Sequence, residues 1–196
     1  MRIAAALSRR GHRSGKNDRM GSLLVVTGPP GAGKSTLAEA IAGRLSRSVL
    51  VEGDAFFGFL RSGAIEPWLP ESHDQNALVT QVAGGAAGKF ANGGFETIYD
   101  GVVGPWFLDE FLSASGLPSL DYVVLLPSVE TCIKRVLARK NHGFKDEPAA
   151  RHMHDHFVRQ APADRHIINN VDQSPEELSA YILDVRGRGD LTYPPR

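Results

Sequence analysis

The stretch VVTGPPGAGKSTLAEA, residues 25–40, reads as an apolar strand, a glycine-rich turn that ends in Lys-Ser-Thr, and the start of a helix. The spacing Gly28-x-x-x-x-Gly33-Lys34-Ser35 is the full pattern of a phosphate-binding loop, and it lies in the strand-to-helix context that such a loop requires. The alternative is a glycine-rich turn with an accidental lysine, which would rarely meet all of these positions together. The pattern therefore predicts a site that holds a polyphosphate.

Each part of this loop has a physical role in binding phosphate. Gly28, Gly31 and Gly33 permit backbone torsions that a Cβ forbids, so successive N–H groups can converge on an anion. The N-terminus of the next helix adds partial positive charge. We expect Lys34 to reach the β- and γ-phosphates and the Ser35 hydroxyl to bind Mg²⁺. The predicted cofactors are ATP and Mg²⁺, and the predicted binding residues are Gly28, Pro29, Pro30, Gly31, Ala32, Gly33, Lys34, Ser35 and Thr36.

Length and charge limit the classes of protein. The chain has 196 residues, which is enough for one domain with a full core, and its formal net charge is zero. Residues 1–20 hold six Arg or Lys against one Asp, and we predict a disordered extension there, with Met20 as an alternative start. A domain is expected at 21–188 and a flexible tail at 189–196. The body is acidic, which argues against general nucleic-acid binding, and no apolar run is long enough to span a membrane.

Cysteine usage indicates the compartment. The single cysteine, Cys132, excludes internal disulfides and favours a reducing cytoplasm. It lies in the amphipathic segment SVETCIKRVLARK, so we predict a buried helix residue; the alternative is a reactive thiol.

Strands and helices alternate along the body, which predicts an α/β fold: a single P-loop domain with a five-stranded parallel sheet, helices on both faces and a lid segment. The last helix carries a capping box, with Ser174 as N-cap, Pro175 at the first helical position and Glu177 completing the box. The predicted strands are SLLVVTG, SVLVEGD, FETIYDG, LDYVVLLP and RHIINN, and the predicted helices cover about 34–46, 74–91, 128–140 and the segment SPEELSAYILDV.

Three carboxylates follow predicted strands. The second strand ends in Glu52-Gly53-Asp54 and the third in Asp100-Gly101. Ligands bind at the carboxyl edge of an open parallel sheet, so these acids are expected to face the phosphate loop. We predict that Asp100 and Glu52 bind Mg²⁺, directly or through water, and that Asp54 accepts the proton of an attacking hydroxyl. The alternative for each is a solvated turn residue.

With these strand ends the chain resembles the small-molecule kinases of the nucleoside-monophosphate-kinase-like group. The resemblance rests on GPPGAGKST, on EGD after the second strand, on YDG after the third and on SPEEL, and it covers about residues 22–185. Within this group the chain resembles chloramphenicol phosphotransferase-like, gluconate kinase-like and shikimate kinase-like proteins, often described as AAA-family ATPases or zeta-toxin-like proteins. The resemblance implies that Asp54 binds or deprotonates the substrate hydroxyl. Glu52 stands where the shikimate and gluconate kinases carry an aspartate.

The same resemblance implies an arginine-bearing lid over ATP. Residues 132–166 hold eight Arg or Lys against four acids, and Arg135 and Arg139 share a helix face at i and i+4. The segment KNHGFKDEP contains a glycine, and we expect it to move as a lid. The resemblance also implies that the segment VDQSPEE runs past the adenine ring of the bound nucleotide. We predict that Arg135 and Arg139 neutralise the transferring phosphoryl group. The alternative is that they are solubilising surface charges.

Aromatic and histidine residues mark the segments around this predicted site. Trp68 and Trp106, each preceded by proline, fall in insertions expected to form the acceptor pocket; core packing is the alternative for both. The segment HMHDH at 152–156 lacks a third ligand at suitable spacing for zinc. We expect it instead to start the helix behind the lid.

The charge of the insertions predicts the kind of acceptor. Residues 54–110 contain eight acids against Arg61 and Lys89. An anionic acceptor needs Arg or Lys forks, and only Arg61 is placed to supply one. We therefore predict a phosphotransferase for a neutral or cationic hydroxyl compound (an antibiotic, amino sugar or polyol), with neither nucleic acid nor membrane as partner. The alternative is a nucleotide-dependent switch or ATPase module without a small-molecule acceptor.

Overall fold

A six-stranded sheet forms the centre of the computed structural model, which describes residues 21–138, 144–169 and 173–195. Five strands are parallel in the order β2-β3-β1-β4-β5, and β6 pairs antiparallel with β4. The strands are β1 (Ser22–Thr27), β2 (Ser48–Glu52), β3 (Glu96–Asp100), β4 (Leu120–Leu125), β5 (Ile167–Ile168) and β6 (Thr192–Tyr193).

Helices connect the parallel strands and cover both faces of the sheet. None of the helices within the described ranges is both long and apolar enough to cross a membrane. The helices are α1 (Lys34–Ala42), α2 (Asp54–Phe57), α3 (His73–Asn92), α4 (Pro105–Ser115), α5 (Val129–Ala138), α6 (Glu147–Arg159) and α7 (Pro175–Gly187).

The alternation of side chains along β1 produces the two cores. Leu23 and Val25 pack on one face with residues of α3 and α4, such as Phe111. Leu24 and Val26 pack on the other face with residues of α1, α5 and α7. Because β1 is buried on both faces, every residue from 23 to 26 is apolar, as parallel central strands require.

The predicted fold class is confirmed, with additions. The fifth strand is shorter than RHIINN, since only Ile167 and Ile168 pair with β4. The capping box of α7 is present in both directions: the Ser174 N–H donates to the Glu177 carboxylate at 3.0 Å, and the Glu177 N–H donates to the Ser174 hydroxyl at 3.2 Å. Helices α2 and α4 and strand β6 were not predicted. Strand β6 lies within the segment expected to be a tail, and the fully buried Leu191 precedes it.

Some predictions fall on residues outside the described ranges. These are the extension at 1–20, the residue Arg139, residues 140–143 of the proposed lid loop, and the start of the segment VDQSPEE.

Candidate active site

The phosphate loop between β1 and α1 is held against β4 and α5. Gly28 and Gly31 have φ values of +143° and +81°, which disfavour any residue with a Cβ. They are also short of space, because a Cβ at Gly28 would lie 2.3 Å from the Leu125 oxygen and one at Gly31 would lie 2.2 Å from the Cys132 oxygen. Glycine is required at both positions for torsion and for close approach. Cys132 is fully buried beneath the loop, as predicted.

Two cations contact the carbonyl groups of this loop. The Lys34 ammonium donates to the Pro29 carbonyl at 3.3 Å. The Arg135 guanidinium, from α5, donates to the Ala32 carbonyl at 3.2 Å and is 3.5 Å from that of Gly31. Arg135 therefore lies on the loop itself, where its charge favours bound phosphate and its hydrogen bonds also hold the loop.

The predicted acids meet at the carboxyl edge of the sheet. Glu52 and Asp100 are register partners on β2 and β3, and Asp54 begins α2 two residues after Glu52. Asp100 is 9% exposed, whereas Glu52 and Asp54 are exposed. Burial raises the pKa of Asp100, a hydrogen bond from Ser35 and the charge of Lys34 lower it, and the charges of Asp54 and Glu52 raise it again. These effects place Asp100 among all four groups.

The donor set fits the predicted cofactor. Carboxylate and hydroxyl oxygens are the ligands that Mg²⁺ prefers, and it needs only one or two carboxylates beside phosphate oxygens and water. Asp100 and the Ser35 hydroxyl would hold the ion, with the exposed Glu52 carboxylate beside them to bind one of its waters. The burial of the Asp100 carboxylate is consistent with a site made for a cation.

The turn after β3 is fixed by two buried hydroxyl groups that the sequence analysis did not single out. The Val103 N–H donates to the Thr27 hydroxyl at 2.9 Å, and the Tyr122 hydroxyl donates to the Val103 carbonyl at 2.7 Å. The Gly53 N–H also donates to the Asp100 carbonyl at 2.7 Å, which joins the ends of β2 and β3. A threonine at the end of an apolar strand was the signal in the sequence from which these hydrogen bonds could have been predicted.

The insertion before α3 is held by side-chain amides. The Gln75 amide accepts from the Ile65 N–H at 2.8 Å and donates to the Ile65 carbonyl at 2.7 Å, and the Asn76 amide donates to the Pro67 carbonyl at 2.7 Å. These bonds position Trp68, whose ring meets Phe144 edge-on at a centroid distance of 5.1 Å. Trp68 thus contacts the described end of the proposed lid segment.

Arg61 lies in the same insertion but is exposed, and it forms no ion pair within the described ranges.

Trp106 lies at the start of α4, directly after the fixed turn. Its ring stacks on His156 of α6 with a centroid distance of 3.8 Å and an interplanar angle of 5°, and its other neighbour is Phe157. Burial lowers the pKa of His156, and the charges of His152 and Arg159 lower it further. The stack gives Trp106 a packing role, which leaves its predicted acceptor role as a proposal.

The HMHDH segment does not start its helix. Helix α6 begins at Glu147, with Asp146 as N-cap accepting from the Ala149 N–H at 2.9 Å, so the earlier start corrects our expectation. The proline at 148 suits the first turn of a helix, where its missing N–H costs nothing. His154 is buried and its Nε2 lies 2.9 Å from the Pro127 carbonyl oxygen, which ties α6 to the end of β4.

The eight acids of residues 54–110 do not lie on one surface. Glu96, at the start of β3, pairs with Arg186 at 2.8 Å at the opposite edge of the sheet from the loop. Asp109 accepts from the Tyr193 hydroxyl at 2.5 Å, and Tyr193 pairs with the start of β4. Two of the eight acids thus have structural partners away from the candidate site, which weakens the predicted acidic rim.

Comparison with known families agrees with this geometry. A family described as an AAA domain matches residues 23–162, more than half of the chain. The chain belongs to this AAA domain family. The predicted resemblance is thereby confirmed, since AAA-family proteins of this kind were among the relatives that it named. No curated protein matches the chain significantly.

Solved structures share the fold of this AAA domain chain at low sequence identity. The tunicamycin resistance protein of Deinococcus radiodurans is 16% identical with a TM-score of 0.63, and the match covers 89% of this chain and 99% of that one. A sugar kinase from Janibacter sp. HTCC2649 is 20% identical with a TM-score of 0.63, covering 84% and 93%. Shikimate kinase from Acinetobacter baumannii, solved with shikimate, is 19% identical with a TM-score of 0.63, covering 88% and 97%. At these identities the likeness establishes the fold.

Proposed function

We propose that the protein is an ATP-dependent phosphotransferase that moves the γ-phosphate to a hydroxyl of a small molecule. The observation that carries this proposal is the meeting of Lys34 and Ser35 with Asp100, Glu52 and Asp54 at one end of the sheet. Phosphoryl transfer needs cations at the phosphates, oxygen ligands for a metal ion and a base for the nucleophile. This end of the sheet has a side chain for each task.

The residues divide the chemistry between them. The acceptor hydroxyl oxygen forms a bond to the γ-phosphorus as the bond to the leaving ADP oxygen breaks, and the hydroxyl proton passes to the Asp54 carboxylate. Lys34 neutralises charge on the phosphates, and Asp100 with Ser35 would hold Mg²⁺, which would supply further positive charge to the phosphate oxygens. Asp54 is exposed at the start of a short helix, so an acceptor can reach it.

Arginines are proposed to stabilise the transferring group. Arg135 donates to the Ala32 carbonyl of the phosphate loop, and we propose that its guanidinium also contacts phosphate oxygens. Arg139, four residues later in the sequence, is proposed as the second cation. The charge on a transferring phosphoryl group spreads over three oxygens, so two guanidinium groups can both contribute.

The acceptor is proposed to be a neutral or cationic hydroxyl compound. Arg61 is the one arginine of the insertion, and its exposed position without an ion pair in the described ranges leaves it available for an anion. A single exposed arginine is a weak anchor for a carboxylate or phosphate compared with a buried fork. Trp68, held in place by the Gln75 and Asn76 amides, offers an apolar surface to such an acceptor, and Trp106 is proposed as a second wall.

A matched acceptor panel tests the charge class. ADP formation is measured at low salt with glycerol, myo-inositol, D-glucosamine, kanamycin, chloramphenicol and tunicamycin, and with gluconate, shikimate and AMP as anionic members. We expect the highest kcat/KM among the neutral or cationic members and little change on Arg61→Ala. If an anionic member is best and Arg61→Ala removes its binding, the charge assignment is wrong. Equal ATP hydrolysis with and without every member would favour the switch or ATPase alternative.

Asp100→Asn is expected to raise the thermal stability of the metal-free protein while it removes Mg²⁺-dependent turnover. Burial raises the pKa of Asp100, so the ionised form is disfavoured in the folded state. This cost is present above the folded pKa and disappears below the ordinary pKa of an aspartate. The metal-free variant should therefore have a higher Tm than the wild type at pH 7–8, by about 2–4 °C if the gain is about 1 kcal/mol, and the difference should shrink as the pH falls.

The same variant should lose Mg²⁺-dependent turnover. Glu52→Gln is the matched control, because that carboxylate is exposed and its removal should leave Tm unchanged. Tm is measured by thermal unfolding without metal. A lower Tm for Asp100→Asn would show that the Asp100 carboxylate stabilises the metal-free fold, which would contradict this prediction.

A further inference from the structure

Two tyrosines buried in the same core cluster differ in the state of their hydroxyl groups. Tyr99 on β3 is 4% exposed and Tyr122 on β4 is fully buried. The Tyr122 hydroxyl donates to the Val103 carbonyl at 2.7 Å. The Tyr99 hydroxyl makes no hydrogen bond with any residue in the described ranges. Buried tyrosine hydroxyls normally have a partner, so the difference calls for an explanation.

The Tyr99 oxygen lies against the two turns that carry the proposed catalytic acids. A Cβ at Gly53, between Glu52 and Asp54, would lie 2.4 Å from this oxygen, and a Cβ at Gly101, next to Asp100, would lie 2.8 Å from it. The two glycines therefore make room for the phenol tip at the carboxyl edge of the sheet. Gly53 has an ordinary φ of −61°, so its small size and not its torsion is what this position uses.

The hydroxyl retains contact with solvent at this edge. Within the described ranges, the side-chain atoms that are both enclosed and without a partner are Asn76 Oδ1 and His154 Nδ1. The Tyr99 oxygen is equally without a partner but is not among them. Its ring is held by Phe111 at a centroid distance of 4.7 Å, so the hydroxyl has a fixed position.

The phenol is a neutral donor. A phenol ordinarily loses its proton only near about pH 10, so its hydroxyl can donate throughout the physiological pH range. From its place between the turns at Gly53 and Gly101, the Tyr99 hydroxyl can donate to an oxygen that arrives there.

We propose that Tyr99 is a specificity-determining residue whose hydroxyl donates a hydrogen bond to an oxygen atom of the acceptor. This inference rests on the proposed function. It narrows the acceptor to compounds with a second oxygen beside the hydroxyl that receives the phosphoryl group, as in polyols and sugars. A site with a fixed donor for such an oxygen favours compounds that can accept its hydrogen bond over analogues that cannot.

A spectroscopic experiment tests whether the hydroxyl is reachable. The full chain is labelled with [ζ-¹³C]tyrosine, which gives four signals, and Tyr99→Phe and Tyr122→Phe assign two of them. With ADP and Mg²⁺ present, glycerol is expected to shift the Tyr99 signal saturably and to leave Tyr122 unmoved. Propylammonium, which has no oxygen, should shift neither. A Tyr99 signal that does not respond to glycerol, or one that only moves together with Tyr122, would overturn the proposal.

Kinetics supply the second readout. In the acceptor panel, Tyr99→Phe should raise the KM of the best polyol or sugar member about tenfold and leave the KM of ATP within about twofold. Tyr122→Phe is the matched control and should lower Tm without changing either KM. An unchanged acceptor KM in Tyr99→Phe contradicts the assignment. The glycerol titration needs no phosphoryl transfer, so an absence of acceptor-stimulated turnover would count against the proposed function alone.

Discussion

Lys34→Ala is expected to lower ATP turnover by about 10³-fold or more while the fold remains intact. Lys34 neutralises charge that develops on the transferring phosphoryl group, and removal of one such preorganised donor costs about 10²–10³-fold even in milder cases. Its ammonium donates to the Pro29 carbonyl of the loop and does not belong to either apolar core. Turnover is measured by ADP formation, and the fold by circular dichroism and thermal unfolding.

Lys89 is the matched control for this variant. It is an exposed lysine in the last turn of α3, outside the candidate site. Lys89→Ala should keep turnover within about threefold. If Lys34→Ala retained near-normal turnover, the phosphate loop would not serve phosphoryl transfer and the whole account would fail.

Asp54→Asn is expected to lower transfer by about 10²–10⁴-fold with ATP affinity preserved. This range is typical for the loss of a positioned general base. Asp54 is the first residue of α2 and lies close enough to Asp100 and Tyr99 to affect the pKa of both. The asparagine has almost the same shape, so the turn survives. Affinity is measured by ATP titration and transfer by steady-state kinetics on the best member of the acceptor panel.

Asp74→Asn serves as the control, because Asp74 is an exposed acid at the start of α3 in the same insertion. It should leave transfer unchanged. An unchanged rate in Asp54→Asn would mean that this acid is a solvated turn residue, and the base would have to be sought elsewhere.

The main features of the site could be predicted because the positions and ends of the strands along the chain follow from local signals. The loop pattern identified β1, and parallel strands bring their carboxyl ends to one edge. Glu52 and Asp100 could therefore be placed together before their register was known. Strand β1 could be predicted because a strand that is buried on both faces is a continuous apolar run. The capping box of α7 could be predicted because reciprocal capping requires a short, distinctive sequence.

The acidic rim was overestimated because a count of acids along the sequence does not show at which end of its strand each residue lies. Glu96 and Asp100 are four residues apart on one strand, so about 13 Å separates them. One pairs with Arg186 at the far edge, and the other lies among the acids of the site. The role of Thr27 was missed for a related reason. Its hydroxyl group accepts from the Val103 N–H, and Val103 is distant from it in sequence.

The balance of products from ATP tests the central claim most directly. ADP and free phosphate are measured together while the purified full chain turns over ATP and Mg²⁺ with each member of the acceptor panel. The account predicts that one hydroxyl compound makes ADP form faster than free phosphate, with the missing phosphate recovered as a phosphate ester of that compound. One free phosphate for every ADP, at the same rate with every compound, would contradict it.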